Sequence, residues 1–219
     1  MTAGGISLHE EGAGTSRLLE HLRARLPQQA PDALPGHDDY DFLTSRPEGF
    51  SAVKAAVLLP LIQRASSHEG PVLLFTRRTE SLARHSGQVS FPGGRSEPHD
   101  LSPVETALRE TFEETGIASS FVSVAGYLDR YLTGTGFDIQ PVVGFVAEGF
   151  ALMPDAGEVA ATFEVPLAFL LDPANRRRET RHLGGRERRF YAFTYQDHEI
   201  WGATAAIIVN LAEHLADIT

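Results

Sequence analysis

Residues 93–117 read GGRSEPHDLSPVETALRETFEETGI, a stretch that is rich in carboxylates and has glycines near both ends. Its glutamates Glu110, Glu113 and Glu114 stand at i, i+3 and i+4, positions that share one face of an α-helix. Carboxylates crowded in this way repel each other, so a partner of opposite charge is expected. The hard oxygen ligands of such a cluster suit Mg²⁺ or Mn²⁺. A solvated surface helix is the ordinary alternative for a glutamate-rich segment.

The flanking residues predict where this helix begins and ends. Ser102 suits the N-cap, Pro103 the first helical position, and Glu105 the third position of a capping box. Gly116 suits the left-handed residue that ends a helix, and Ile117 is placed to pack back on it. The stretch therefore predicts one helix between Ser102 and Gly116.

The helix is predicted to turn a second, less polar face to the core, which leaves its acidic face directed into a cleft. The residues of the less polar face are Val104, Leu108, Thr111 and Phe112. Before the helix, Gly93 and Gly94 permit a tight turn and close approach of the backbone to a ligand. Arg109 is expected to pair with a neighbouring carboxylate and to hold one glutamate in a fixed rotamer.

Together, these residues resemble the signature box of the Nudix hydrolases. That box runs Gly, five residues, Glu, seven residues, Arg-Glu, an aliphatic residue, any residue, Glu-Glu, any residue, Gly, aliphatic. The sequence departs from it at three places: Asp100 replaces the first Glu, eight residues then precede Arg109, and Thr111 replaces the aliphatic residue. The resemblance implies an α/β fold, an α/β/α sandwich with a mixed β-sheet and the box helix on one face.

The resemblance also implies roles for individual residues. The three glutamates of the helix are expected to hold one or more Mg²⁺ or Mn²⁺ ions, and Arg109 is expected to orient one of them. Glu158, in a later loop, is a candidate fourth ligand or general base, and Glu110 is the other candidate base. Glu97 and Asp100 are candidates for assisting through a second metal. For these loop carboxylates a solvated side chain is the alternative.

Residues 73–94, LLFTRRTESLARHSGQVSFPGG, carry a second resemblance. They are similar to the segment that marks the coenzyme A pyrophosphatases, a Nudix subfamily: Leu-Leu-Thr-x-Arg, a small residue, three residues, Arg, three residues, Gly, three residues, Phe-Pro-Gly-Gly. Arg78 and the final Phe-Pro-Gly-Gly match, whereas Ala83 stands where the second Arg is expected and Arg84 follows it. The resemblance implies substrate contacts from Arg78, Arg84, His85 and the glycine pair. A structural histidine is the alternative for His85.

A cluster of positive charge lies near the end of the sequence. Residues 176–189 hold seven arginines in fourteen positions, a density that can attract substrate phosphates. An exposed hairpin, in which the arginines are interleaved with Glu179 and Glu187, is the alternative interpretation.

Apolar runs predict the rest of the fold. Strands are expected over 52–62, 71–77, 88–91, 121–132, 137–147, 161–165 and 190–195, and helices over 15–26, 166–172 and 203–216. The TGTG segment at 133–136 predicts a hairpin turn. Trp201, the single tryptophan, stands close to an apolar helix and is expected in the core.

The length of 219 residues suits one domain with a sizeable core. Residues 1–50 are expected to form an N-terminal tail, helix and loop, and residues 51–219 the hydrolase domain. The loop is expected either to wrap the core or to contact a second subunit, which makes a homodimer one expectation.

Charge and composition exclude several classes of function. The net charge of −10 argues against a general nucleic-acid surface, while bound metal ions would reverse the local field for a phosphate substrate. The absence of cysteine excludes disulfides, thiolate metal sites and a cysteine nucleophile. No apolar run of about eighteen residues and no signal-peptide pattern is present, so no membrane association and a cytoplasmic location are expected.

The expected reaction is metal-dependent hydrolysis of a diphosphate linkage. Coenzyme A or a derivative is the expected substrate, with adenosine 3′,5′-bisphosphate and 4′-phosphopantetheine as products. Two alternatives stay open. The substrate can be another nucleoside diphosphate derivative, such as ADP-ribose, a dinucleotide or an oxidised nucleotide. The domain can also be a nucleotide-binding sensor without turnover, although the intact Arg-Glu and Glu-Glu pairs argue against that.

Overall fold

A computed structural model describes residues 20–31, 37–38, 51–64, 70–79, 87–183 and 186–216. Its strands are β1 (His37–Asp38), β2 (Val53–Ile62), β3 (Val72–Arg78), β4 (Val89–Ser90), β5 (Gly93–Arg95), β6 (Val122–Tyr127), β7 (Tyr131–Leu132), β8 (Phe137–Val146), β9 (Val159–Pro166), β10 (Arg177–Leu183), β11 (Arg186–Tyr195) and β12 (His198–Trp201). Its helices are α1 (20–25), α2 (Pro103–Thr115), α3 (Leu167–Leu171) and α4 (Ala203–His214). Short 3₁₀ turns lie at Ser119–Phe121 and Pro173–Asn175.

The centre of the main sheet is the pair β2 and β8, which run parallel from Val53 opposite Phe137 to Ile62 opposite Val146. Strands β3 and β5 pair with β2 in the antiparallel sense, and β9 pairs antiparallel with β3, so the sheet is mixed. The apolar run of β2 is explained by this position, because a central strand is covered on both faces.

Helices cover both faces of this sheet. On one face, Ala56 and Leu58 of β2 pack with Ala107 of α2. On the other face, Leu59 and Leu61 lie in a larger core that also holds apolar residues of α4 and the α1 segment. Successive side chains of a strand point to opposite faces, so one strand supplies both cores. The α/β sandwich with a mixed sheet and the box helix on one face is confirmed.

A second, three-stranded antiparallel sheet is built from β10, β11 and β12. The first two strands form the hairpin that was the alternative interpretation of the arginine-rich segment. Strand β12 was not predicted, because HEIW is only four residues long and begins with two polar residues. The sheet packs against α4 and so extends the wall of the main core.

Other predicted elements agree with the structure to within a few residues. The main exception is the run 121–132, which was predicted as one strand but forms two, β6 and β7. Strand β6 also contains a bulge between Val124 and Gly126. Of the predicted helix 15–26, residues 20–25 are helical and the earlier part lies outside the described residues. In the part of the chain that the structure describes, no helix is both long and apolar enough to cross a membrane.

Candidate active site

Helix α2 has the predicted ends. The Ser102 hydroxyl accepts the backbone N–H of Glu105 at 3.2 Å, and Pro103 occupies the first turn. The Glu105 carboxylate accepts the N–H of Leu101 at 2.8 Å, one residue before the expected partner of a capping box. Gly116 has φ 78° in the left-handed region and ends the helix. The helix is thereby fixed at both ends, which holds its acidic side chains in place.

The predicted core-facing side of α2 is partly wrong. Phe112 is 51% exposed, whereas Thr111 is the one fully buried residue of the four that were predicted to face the core. Each residue rotates about 100° around a helix, so Phe112 is carried away from the face that buries Thr111. The Thr111 hydroxyl donates to the backbone oxygen of Ala107 at 2.6 Å. Threonine can therefore take the place of an aliphatic residue here without leaving its hydroxyl unpaired.

Glu114 is the most deeply buried of the three clustered glutamates of α2. One oxygen accepts the backbone N–H of Gly93 at 3.3 Å, and the other lies 3.4 Å from the Arg78 guanidinium. Burial raises the pKa of Glu114 to about 8, and the charge of Arg78 and the Gly93 N–H oppose that rise. In the absence of a cation, this carboxylate therefore holds a proton near neutral pH.

Glu110 lies directly over Gly94. A Cβ at position 94 would stand 2.5 Å from the carboxyl carbon of Glu110, which is closer than non-bonded atoms can approach. Burial raises the pKa of Glu110, although Arg109 donates to its Oε1 at 3.0 Å and opposes that effect. The absence of a side chain at Gly94 therefore makes room for this carboxylate.

Arg109 connects three carboxylates. Its Nε and Nη2 donate to the two oxygens of Asp100 at 3.1 and 2.9 Å, and its Nη1 donates to Glu110 and Glu113 at 3.0 Å each. The forked Arg109 bonds hold the pKa of Asp100 far below its usual range. Thr106 and the N–H of Glu97 donate to the same carboxylate. Asp100 therefore positions Arg109.

Glu113 is placed differently from the other two glutamates of the cluster. Its side chain is 56% exposed and accepts from Arg109, and it does not line the cavity that Glu110 and Glu114 share. Of the three predicted metal ligands, the structure thus places two in one cavity and leaves Glu113 outside its lining.

A cavity of about 700 Å³ opens beside α2. Its polar end is formed by Arg78, Glu158, Glu110, Glu114 and the glycine pair 93–94. Glu158 lies just before β9 and is 3.5 Å from Nη2 of Arg78, so this arginine stands between two carboxylates. The remaining wall is largely apolar and includes Val57, Phe91, Phe137, Ile139, Phe190 and Trp201.

The sequence is similar to those of known proteins. Residues 53–183 match the family model of the NUDIX domain. The chain belongs to the Nudix hydrolase family. It is 37% identical over 205 residues to a protein named uncharacterized Nudix hydrolase NudL from Yersinia pestis (strain Pestoides F), with 94% of this chain and 96% of that protein covered. A protein of the same name from Yersinia pseudotuberculosis serotype O:1b is equally similar.

Solved structures also resemble this Nudix hydrolase. A MutT/nudix family protein from Enterococcus faecalis matches with a TM-score of 0.49 at 16% identity, over 98% of this chain and 76% of that one. The NUDIX domain of Shewanella oneidensis NrtR, complexed with ADP ribose, matches with a TM-score of 0.43 at 17% identity, over 60% and 84% of the two chains. Membership in the family makes the chain a hydrolase of nucleoside diphosphate derivatives, and such enzymes generally use Mg²⁺ or Mn²⁺.

The carboxylates that line the cavity are of the ligand type that a hard divalent cation prefers. Glu110, Glu114 and Glu158 line one cavity, and their mutual repulsion, together with burial, disfavours a full set of negative charges there. With side chains as they stand, no three acidic or imidazole groups within the described residues are gathered closely enough to hold an ion. A cation at this place would therefore replace arginine contacts of the carboxylates.

The structure places only some of the other residues that were singled out in the sequence of this Nudix hydrolase where they were expected. Arg78 lies in the cavity, whereas Arg84 and His85 lie outside the described residues. Trp201 was expected in the core, but it is half-buried and lines the cavity with its ring 5.7 Å from that of Phe190. Sequence reasoning missed this aromatic pair, because it forms only when β11 and β12 pair.

Proposed function

We propose that this Nudix hydrolase cleaves the diphosphate linkage of coenzyme A or a coenzyme A derivative, releasing adenosine 3′,5′-bisphosphate and 4′-phosphopantetheine. One observation carries the proposal. Arg78, from the segment that resembles the coenzyme A pyrophosphatases, lies 3.4 Å from Glu114 of the Nudix box inside a shared cavity. The two resemblances in the sequence thus meet at one site.

Glu110, Glu113 and Glu114 are the residues that would hold Mg²⁺ or Mn²⁺. The bound ion would neutralise the diphosphate oxygens and lower the pKa of a coordinated water. Glu114 would join this set in place of its Arg78 contact, and Glu113, which is exposed and does not line the cavity, would need a different rotamer to join. Arg109 remains tied to Asp100 and keeps Glu110 in its orientation.

The other groups of the cavity act on the substrate. Arg78, when released by Glu114, presents guanidinium donors to a phosphate oxygen. Glu110 or Glu158 accepts the proton of the attacking water, since both carboxylates face the cavity. The new bond joins the water oxygen to one phosphorus, and the bridging oxygen leaves on the other phosphate. The apolar wall receives the uncharged parts of the substrate.

The substrate assignment is tested with a panel of coenzyme A, an acyl-coenzyme A, ADP-ribose and a dinucleoside polyphosphate, each with Mg²⁺ or Mn²⁺. Products are separated by chromatography and kcat/KM is compared. We expect the highest kcat/KM for coenzyme A or the acyl form. Equal or higher values for ADP-ribose would remove the coenzyme A assignment while leaving the hydrolase in place.

The site assignment is tested with Glu114→Gln. This change keeps the side-chain shape and removes a ligand charge, so turnover should fall by about 10²-fold or more. Glu213→Gln, at an exposed position of α4, is the control and should behave as the wild type. Wild-type turnover in Glu114→Gln would show that the cavity is not the place of reaction.

A further inference from the structure

A second, smaller pocket of about 270 Å³ lies beside the cavity, between the β10–β11 hairpin and the start of α4. Its lining includes Tyr131, Arg178, Arg189, Phe190 and Tyr191, and among the described residues it contains no carboxylate. The chain as a whole carries a net charge of −10, so a pocket lined by two arginines differs in charge from most of the molecule. It is therefore suited to an anion rather than to a cation.

The strand register explains why these side chains meet. Arg178 stands opposite Tyr191, and Thr180 stands opposite Arg189, so Arg178, Tyr191 and Arg189 share one face of the hairpin. Arg177, the neighbour of Arg178, points to the other face, where it pairs with Glu199. Adjacent arginines of one strand thus have different surroundings.

The Arg178 side chain is held in a defined place. Its Nη2 donates to the Tyr191 hydroxyl at 2.8 Å, and its guanidinium lies 5.2 Å from the centre of the Tyr191 ring. Arg176 lies over the same ring at 5.5 Å. A guanidinium has five N–H donors, so one bond to a tyrosine leaves Arg178 with donors for an oxyanion.

The two cavities share part of their walls. Arg189, Phe190 and Gly202 line both of them, while the larger cavity ends at the carboxylates of the Nudix box. A substrate whose diphosphate lies beside Glu110 and Glu114 can therefore extend along Phe190 into the smaller pocket. The group that arrives there meets arginine and tyrosine donors.

We propose that the smaller pocket binds a phosphomonoester of the substrate that is separate from the diphosphate. This inference rests on the proposed function: in coenzyme A, that group is the 3′-phosphate of the adenosine. The pocket then selects 3′-phosphorylated nucleotides over nucleotides without this phosphate, which carry about two fewer negative charges. Arg178 is the residue that carries the selection.

The test compares coenzyme A with 3′-dephospho-coenzyme A as substrates. In the wild type, kcat/KM should favour coenzyme A by about tenfold to hundredfold, the range for charge-assisted hydrogen bonds. In Arg178→Ala, this ratio should fall towards one. Arg177→Ala, one residue away on the opposite face, should keep the wild-type ratio. Calorimetry without turnover adds a second measurement: adenosine 3′,5′-bisphosphate should bind more tightly than AMP, and Arg178→Ala should remove the difference.

The possible failures are distinguishable. If coenzyme A is hydrolysed and Arg178→Ala keeps the full preference, the pocket assignment is wrong and the proposed function stands. If Arg177→Ala removes the preference as fully as Arg178→Ala, general charge rather than the pocket is responsible, and the assignment also fails. If neither coenzyme A compound is hydrolysed while ADP-ribose is, the proposed function and this inference both fall.

Discussion

Replacing Gly94 with Ala should disable the site with little effect on the fold. The added Cβ would meet the carboxyl carbon and both oxygens of Glu110 at 2.5–2.6 Å, whereas ordinary contact begins near 3.4 Å. The carboxylate must therefore move by about 1 Å, a displacement of catalytic groups that can cost about 10²-fold in rate. Because the atoms in the way are the end of a flexible side chain, the free energy of unfolding should change by only about 1 kcal/mol.

Two matched variants separate these effects. Gly93→Ala places its Cβ 2.4 Å from the backbone oxygen of Ala56 and 2.6 Å from Cα of Val57 in β2, so it should lower stability by several kcal/mol. The second comparison is a double-mutant cycle with Glu110→Gln. If Gly94→Ala acts by moving Glu110, the double variant should be no slower than Glu110→Gln alone.

The assays are steady-state kcat at saturating Mg²⁺ and unfolding in urea. Wild-type kcat in Gly94→Ala would refute the reasoning, because it would mean that the Glu110 carboxylate need not occupy its present place. Strictly additive losses in the double-mutant cycle would also refute it, since the alanine would then act elsewhere.

Further predictions concern Asp100, Glu114 and Phe112. Asp100→Asn leaves the partly buried Arg109 without its forked partner, so the free energy of unfolding in urea should fall by about 3 kcal/mol and kcat should also fall. Asp100→Glu introduces the residue that is usual in the Nudix box, and it should lose less stability and less kcat than Asp100→Asn. Because the pKa of Glu114 is raised to about 8 in the metal-free protein, Mn²⁺ must displace a proton. Calorimetry should show affinity falling by up to tenfold per pH unit below 8, and release of about one proton at pH 7 in buffers of different ionisation heat. The pKa of Glu114 in the folded, metal-free protein lies above its ordinary value of 4.5. The free energy of unfolding of the metal-free protein should therefore decrease as pH rises from about 4.5 to about 8. Urea unfolding of Glu114→Gln should not show this decrease. Phe112→Ser should lower the free energy of unfolding by only about 1 kcal/mol, because about half of the residue is exposed; a loss above 2 kcal/mol would show that Phe112 packs in the core.

Local signals made helix α2 predictable. Ser102, Pro103 and Gly116 act through contacts within a few residues of the helix ends, so their spacing in the sequence is also their spacing in space. The burial of Phe112 was mispredicted because the four positions of the less polar side cover a wider arc of the helix than the face that α2 presents to β2. Apolar character alone does not give the centre of that arc.

The other residues of the site depend on distant parts of the chain. The pairing of Asp100 with Arg109 is not visible in the sequence, because it depends on the path of the loop before Ser102. Trp201 reaches the cavity wall only because β12 pairs with β11. The charge of residues 176–189 was evident, but the separation of Arg177 from Arg178 required the hairpin register. Non-local pairing therefore accounts for most of what sequence reasoning did not find.

The most direct measurement is the anomalous diffraction of manganese in crystals of the protein grown at pH 8 with Mn²⁺ and a non-hydrolysable diphosphate. A peak bounded by the carboxylates of Glu110 and Glu114, next to Gly94, is the expected result. Absence of manganese from this cavity while the diphosphate occupies it, or a peak only at another surface, would contradict the assignment of the Nudix box as the place where this chain holds its metal and cleaves its substrate.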